Sequence, residues 1–198
     1  MSTTLITSLR GSSTSAATVD ATLLAGARGG NSAALGRIYE LTQHRVRRFA
    51  WRLLGEEAAA EDLVQDVFVH LPGLLGRYRG DAPFEMFLLG VVSRRARRHL
   101  RTAIRKRKLH DRFAACADSS PPTPEWDTGR RELAAMLVRA LDTLPRDQRL
   151  AFVLREVEGL SAGEAAQVMG VPEATVRTRV FHARRKLQSE LGRLGVVS

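Results

Sequence analysis

The stretch GLSAGEAAQVMGVPEATVRTRVFHARRKL, residues 159–187, decides how the chain is read. Ser161 is a helix-capping residue type, and Ala165, Ala166, Val168 and Met169 recur after it at helical spacing until Gly170 stops the helix. Pro172 suits the first turn of a second helix, where its missing N–H would have had no partner anyway. That helix puts Val176, Val180, Ala183 and Leu187 on one face and Arg177, Thr178, Arg179, His182, Arg184, Arg185 and Lys186 on the others. Two helices, a tight turn and a basic outer face make a helix-turn-helix. A DNA major groove, roughly 12 Å wide, admits one helix, and the preceding helix must support it from behind. Helix pairs of this kind also occur as plain packing corners with a solvated charged face. Charge separates the two readings: Arg177 to Lys186 holds five cations and no anion, whereas solvated helix surfaces mix signs.

Upstream of this motif the pattern stays helical. Pro145 opens a helix with Leu150, Val153, Leu154 and Val157 facing inward, and a helix from about Asp127 or Thr128 carries Leu133, Met136, Leu137, Ala140, Leu141 and Leu144. Before it lies FAACADSSPPTPEW, residues 113–126, aperiodic and rich in proline, which reads as a linker. Its fourteen residues extend to roughly 45–50 Å, more than the ~34–36 Å of one DNA turn. Two domains joined this way can contact separate stretches of one duplex.

The run SRRARRHLRTAIRKRK, residues 93–108, continues a helix that Asp81 caps and Pro83 opens, with Phe84, Phe87, Leu88, Val91 and Val92 as its apolar side. It holds nine cations without one anion, a repulsion that a polyanion relieves. Tyr78, Phe84 and Phe87 lie beside it, and aromatic faces with arginines are what a single strand of nucleic acid needs for stacking and neutralisation, although most of these rings also suit a core. The helix EEAAAEDLVQDVFVHLPGLL, residues 56–75, has Leu63, Val67, Phe68 and Leu71 as its buried stripe until Pro72. Glu61, Asp62, Gln65 and Asp66 form an acidic and amide patch on it. Helix-dipole complementarity explains the acids at its start; Gln65 and Asp66 fit a protein-binding patch equally well. Further back, Leu35, Ile38, Tyr39, Val46, Phe49, Ala50 and Leu53 mark a long helix closed by Gly55, and Asp20 caps a short one, Ala21 to Ala27. Residues 1–18 are rich in Ser, Thr, Ala and Gly and read as a disordered tail.

The chain has 198 residues, 44% hydrophobic and 26% charged, with a net charge of +10. It can bury a core, and the charge points to a polyanionic partner, nucleic acid ahead of a membrane surface. Cys116 is the single cysteine, which excludes an internal disulfide and a cysteine-based zinc site and fits a reducing compartment. No metal-ligand spacing unites His44, His70, His99, His110 and His182, and no nucleophile or phosphate-loop motif is present, so neither metal, cofactor nor catalysis is expected. The first residues lack a cationic start and an apolar core, and no run approaches the ~20 residues that cross a bilayer, so a cytoplasmic protein is expected.

Three segments together resemble a known family. AEDLVQDVF at 60–68, PFEMFLLGVV at 83–92 with its basic run, and LPRDQRLAFVLREVEGLSAGEAAQVMGVPEATVRTRVFHARRKL at 144–187 are similar, in order and separation, to the extracytoplasmic-function class of bacterial RNA polymerase sigma factors. The resemblance spans about residues 21–195. It implies an all-α initiation factor of two small helical domains: a tail over 1–19, a core-polymerase and −10 domain over 20–112, a flexible linker over 113–126 and a −35 domain with the helix-turn-helix over 127–198. It implies core RNA polymerase and promoter DNA as partners, an anti-sigma factor as regulator, and no cofactor. By it, Glu61, Asp62, Gln65 and Asp66 contact the clamp of the polymerase's largest subunit. Tyr78, Phe84, Arg94, Arg95, Arg98 and Arg101 hold the unpaired strand of the −10 element. Glu173, Thr175, Arg177, Arg179 and Arg184, with Thr178, His182 and Arg185 beside them, face the −35 element. The chain departs from the family where a Trp, an Asn and an Asp are usual: it has Phe87, Arg94 and Arg98, which favour phosphate attraction over polar base contacts.

The main rival is a conventional helix-turn-helix regulator that does not associate with core polymerase. It requires an α/β receiver or ligand pocket upstream, and residues 21–109 show no strand pattern. An amphipathic membrane binder would account for the cations of 94–108 but not for the helix-turn-helix.

Overall fold

The computed structural model describes residues 19–110 and 138–193, with side chains through Arg97 in the first span. The tail over 1–18, the linker over 113–126, the helix start near Asp127 with Leu133, Met136 and Leu137, and the side chains of Arg98 and Arg101 lie outside the described residues. The described chain is all-α and makes two helical domains. The first holds α1 (Ala21–Arg28), α2 (Ser32–Leu54), α3 (Glu57–Leu75) and α4 (Phe84–His110). In the second, residues 138–142 are helical, followed by α5 (Arg146–Phe152), a π-helical stretch Val153–Val157, α6 (Ala162–Met169) and α7 (Glu173–Arg193). Among the described residues there is no strand.

Local chemistry sets most of the boundaries. The Asp20 carboxylate accepts from the Leu23 amide at 2.7 Å, and Asn31 accepts from Ala33 and Ala34 at 2.9 and 3.2 Å, opening α2. Gly55 closes α2 with φ +73°, a left-handed conformation that glycine adopts without steric cost. At α6, Ser161 and Glu164 form a capping box: the Ser161 hydroxyl accepts from the Glu164 amide at 3.2 Å, and the Ser161 amide donates to the Glu164 carboxylate at 2.7 Å. That amide bond holds the Glu164 carboxyl below its ordinary range. Gly170, with φ +66°, then turns the chain toward α7.

In the first domain Ile38, Phe49 and Leu53 of α2 meet Leu63, Val67 and Leu71 of α3 and Leu89 and Val92 of α4, all fully buried. Each such side chain contributes about 1.5–3 kcal/mol of transfer free energy. In the second, Val176, Val180, Ala183 and Leu187 of α7 lie buried against α5 and α6, with Leu150, Leu154, Ala165 and Val168 in the same core. The two domains touch. The C-terminal end of α2 meets α5 and the π-helical stretch, and α4 meets α6.

Three boundaries differ from the pattern reading. Pro72 does not end α3, which runs on to Leu75. So close to the C-terminus the ring forfeits a single bond to the carbonyl four residues back, while buried Leu71 and Leu75 hold the last turn in place. Asp81 stands in the turn before α4 rather than at its cap; the helix begins at Phe84, and the Pro83 carbonyl accepts from Met86 and Phe87. The helix after Pro145 widens to i→i−5 bonding, with the Glu158 amide donating to the Val153 carbonyl at 2.9 Å.

Removing the capping hydroxyl by Ser161→Ala is expected to lower stability by about 1 kcal/mol, seen as an earlier thermal midpoint by circular dichroism. An unchanged midpoint would show that the box contributes nothing.

Candidate nucleic-acid interface

The second domain presents α7. Its buried stripe turns Arg177, Thr178, His182, Arg184 and Arg185 to solvent, while Thr175 is half-buried. Glu173 pairs with Arg177 one turn on, and the Thr178 hydroxyl donates to the Ala174 carbonyl at 3.0 Å. Arg184 extends to Glu156 at 2.8 Å, yet its side chain stays 60% exposed. Arg179 does not belong to this outer face. Its guanidinium pairs with Asp147 of α5 at 2.8 Å, its side chain is only 24% exposed, and Nη1 is buried without a partner among the described residues. It therefore braces α7 against α5 in the DNA-free chain. In its place the outer face carries Phe181, 57% exposed, with the Arg185 guanidinium 5.8 Å from its ring centre and the His182 ring at 5.5 Å. The pattern reading passes over Phe181, although an aromatic residue off the 176, 180, 183 and 187 stripe is an available signal.

The first domain carries a second cationic surface. Tyr78 and Phe87 are half-buried beside exposed Arg77, Arg79 and Arg94, and together they line a cavity of about 240 Å³. The Tyr78 hydroxyl donates to the Ala82 carbonyl at 2.8 Å, which fixes the ring. Partial burial, then the fields of Arg77 and Arg97, hold the Arg94 pKa below its ordinary value, which marks a cluster short of negative charge. Two expected strand contacts fall away. Phe84 is a core residue, 3% exposed, with its ring 5.5 Å from that of Tyr78. Arg95 lies mostly buried in an ion pair with Asp66 of α3. Arg98 and Arg101 lie on α4 one and two turns beyond Arg94, their side chains outside the described residues.

On α3 the acidic patch separates by partner. Glu61 pairs with Arg47 at 3.0 Å, and Asp66 takes Arg95 and, at 3.2 Å, His70. Asp62 and Gln65 remain exposed, and Val69 stands one turn on at 74% exposure. Like Phe181, Val69 lies off its helix's buried stripe. Among the described residues no group of His, Cys, Asp and Glu could hold a metal ion, and no helix is long and apolar enough to cross a membrane.

The family description for Sigma-70 region 2 matches residues 38–106, and that for Sigma-70 region 4 matches residues 134–187. The RNA polymerase sigma-H factor of Pseudomonas aeruginosa is 31% identical over 159 residues, 75% of this chain and 81% of that protein. The ECF RNA polymerase sigma-E factor of Escherichia coli K12 is 30% identical over 157 residues, 75% of this chain and 82% of that protein. The chain belongs to the sigma-70 family, in its extracytoplasmic-function class. It is an alternative sigma factor that directs transcription initiation. The solved structure of the sigma factor RpoE of Bartonella quintana, in complex with the anti-sigma factor NepR, has the same fold, with a TM-score of 0.64 and 24% identity over 79% of this chain and 96% of that one. Region 2 of this sigma factor covers most of α2, α3 and the greater part of α4. Region 4 covers the helix-turn-helix.

The two arginines of α7 should separate by location. Arg179→Ala is expected to cost about 1–2 kcal/mol, because half-exposed Asp147 and a packed interface lose their partner, whereas Arg177→Ala should stay within about 0.5 kcal/mol. Urea unfolding of the two variants checks this, and equal losses would contradict it.

Proposed function

We propose that this sigma factor works by three binding surfaces and no catalysis. Asp62, Gln65 and Val69 on α3 meet core RNA polymerase, with Glu61 and Asp66 holding Arg47 and Arg95 away from that face. Tyr78, Phe87 and Arg94, followed along α4 by Arg98 and Arg101, hold the unpaired strand of a −10 element. Arg177, Thr178, Phe181, His182 and Arg185 on α7 read the −35 element in the major groove, with Arg184 at its edge. The domains run over residues 20–112 and 127–198 with a linker at 113–126, and the place of work is the cytoplasm. The observation that carries the reading is the exposed cationic and aromatic outer face of α7, held from behind by its buried stripe, in a chain with a second such surface on region 2.

The mechanism is differential binding. Core polymerase fixes the two DNA readers in register; melting is then favoured because unstacked bases, each costing a few kcal/mol, are captured on aromatic and arginine surfaces. Phe181 can contact a thymine methyl, while Arg177 and Arg185 donate to base edges or phosphates. By likeness to the fold relative captured with its anti-sigma factor, we infer a regulator of that class.

Run-off transcription with purified core polymerase tests the whole. Wild-type protein is expected to create promoter-specific starts, and Asp62→Arg with Gln65→Ala should abolish both these starts and co-elution with core while leaving the helical spectrum intact. Unchanged core affinity would remove the patch from the interface. Arg177→Ala should weaken binding to the selected −35 duplex by about 1–3 kcal/mol and relax its discrimination. An equal loss on every duplex, measured by competition, would reassign Arg177 to phosphate.

A further inference from the structure

Arg28 belongs to none of the surfaces assigned above, yet it meets the turn that carries Tyr78 at both ends and at the ring. Helix α3 ends at Leu75 without the left-handed glycine that closes α2 and α6; Gly76 keeps a right-handed φ of −62°. Its last carbonyls must therefore find donors elsewhere. The Arg77 amide serves Leu74 at 2.9 Å, and the Tyr78 amide serves Leu75 at 3.1 Å. Arg28, the last residue of α1, adds a side chain to these: Nε donates to the Leu75 carbonyl at 3.2 Å and Nη2 to the Tyr78 carbonyl. Its guanidinium carbon also lies 5.7 Å from the centre of the Tyr78 ring. One planar fork thus spans the turn over 75–78 and faces the ring that the turn presents.

The helix that delivers this fork is fixed at both ends. Asp20 caps α1, and Leu24 and Ala27 are buried in the first domain. Gly26 packs so near α2 that a Cβ on it would lie 3.3 Å from that of Ala34, and Gly30, with φ +82°, turns the chain into α2. Arg28 does not line the groove that Tyr78, Phe87 and Arg94 form, and it precedes the stretch matched by the region 2 description, 38–106. We propose that Arg28 is a positioning residue for the unpaired strand: by clamping the 75–78 turn it holds the Tyr78 ring in the one orientation in which a base can stack. The proposal rests on the strand-binding reading given above.

The chemistry suits a clamp rather than a phosphate ligand. Arg28 ends α1 and bonds the end of α3, so the guanidinium sits at two helix C-termini, each of which carries partial negative charge. Those charges hold the cation on the turn instead of leaving it to follow a phosphate. Stacking in turn needs a ring that is ordered before the base arrives, because ordering it on binding subtracts from affinity. The Tyr78 hydroxyl is anchored on the Ala82 carbonyl at 2.8 Å; Arg28 fixes the main chain at the other end of the same residue. A lysine would supply the charge but not the fork, since its ammonium is a point donor on a flexible stem.

The test uses holoenzyme, core polymerase with the full chain, and a fluorescent single-stranded oligonucleotide carrying the −10 stretch of a promoter mapped by run-off transcription. Tyr78→Ala is expected to weaken oligonucleotide binding by about tenfold or more, and Arg28→Ala by about tenfold. In the Tyr78→Ala background Arg28→Ala should add less than about twofold, because a positioning residue acts through the ring it positions. The slope of log affinity against log salt should stay the same in Arg28→Ala and become shallower in Arg94→Ala, the residue placed to meet a phosphate. Arg28→Lys should remain about threefold weak. Helical content, co-elution with core and −35 duplex binding should match the wild type; if Arg28→Ala loses helical content, Arg28→Lys replaces it in every arm. Unchanged oligonucleotide affinity, an additive loss in the double variant, a shallower salt slope or full binding by Arg28→Lys overturns the positioning role. No loss in Tyr78→Ala overturns the strand-binding reading, and the positioning role with it.

Discussion

Cations outnumber carboxylates in this chain, 31 to 21, and the allotment of the scarce anions decides what each arginine does. Where a carboxylate is supplied from another element, the arginine becomes a structural part, exposed Arg184 with its partner Glu156 being the exception. Asp147 holds Arg179, Asp66 holds Arg95, Glu61 holds Arg47, and Glu158 holds Arg52. Where none is supplied, or only a neighbour on the same exposed helix face, the cation remains available to phosphate. Arg77, Arg79 and Arg94 on region 2 and Arg177 and Arg185 on α7 are of this second kind. Ion pairing thus sorts a uniformly basic composition into scaffold and surface, and the surface arginines cluster beside aromatic rings in both domains.

That sorting marks the limit of what the sequence alone discloses. Helix positions, the helix-turn-helix and the patch on α3 are legible because caps and apolar stripes act over one or two turns. Asp20, Gly55, Ser161 and Gly170 do their work within four residues of themselves. The mates of Arg95 and Arg179 stand 29 and 32 positions upstream, and nothing local distinguishes either arginine from its neighbours. Phe84 misleads for a related reason: on an amphipathic helix that is also basic, a ring can serve the core or a nucleic-acid strand, and only the packing of Tyr78 and Phe84 settles which. Val69 and Phe181 show the converse. Each is an apolar side chain placed off its helix's stripe, a local conflict that the sequence displays openly and that marks a surface with work to do.

The π-helical stretch Val153–Val157 is not legible at all, since no residue type in it demands five-residue bonding. Two acids separated by a single position, one in it and one just after it, aim at different elements: Glu156 meets Arg184 on α7, and Glu158 meets Arg52 on α2. Residues two apart lie on nearly opposite sides of a helix, about 200° around the axis in the α form, which suits one acid to each neighbour while Val153, Leu154 and Val157 stay in the core.

One short segment therefore touches both α7 and the other domain. Glu156 holds Arg184 of α7, and Glu158 holds Arg52 and Arg45 of α2. A ligand that draws Arg184 away from Glu156 leaves that carboxylate, whose side chain is 12% exposed, in want of a partner. Loss of Arg52 would leave Glu158 in the same position, since its side chain is only 7% exposed.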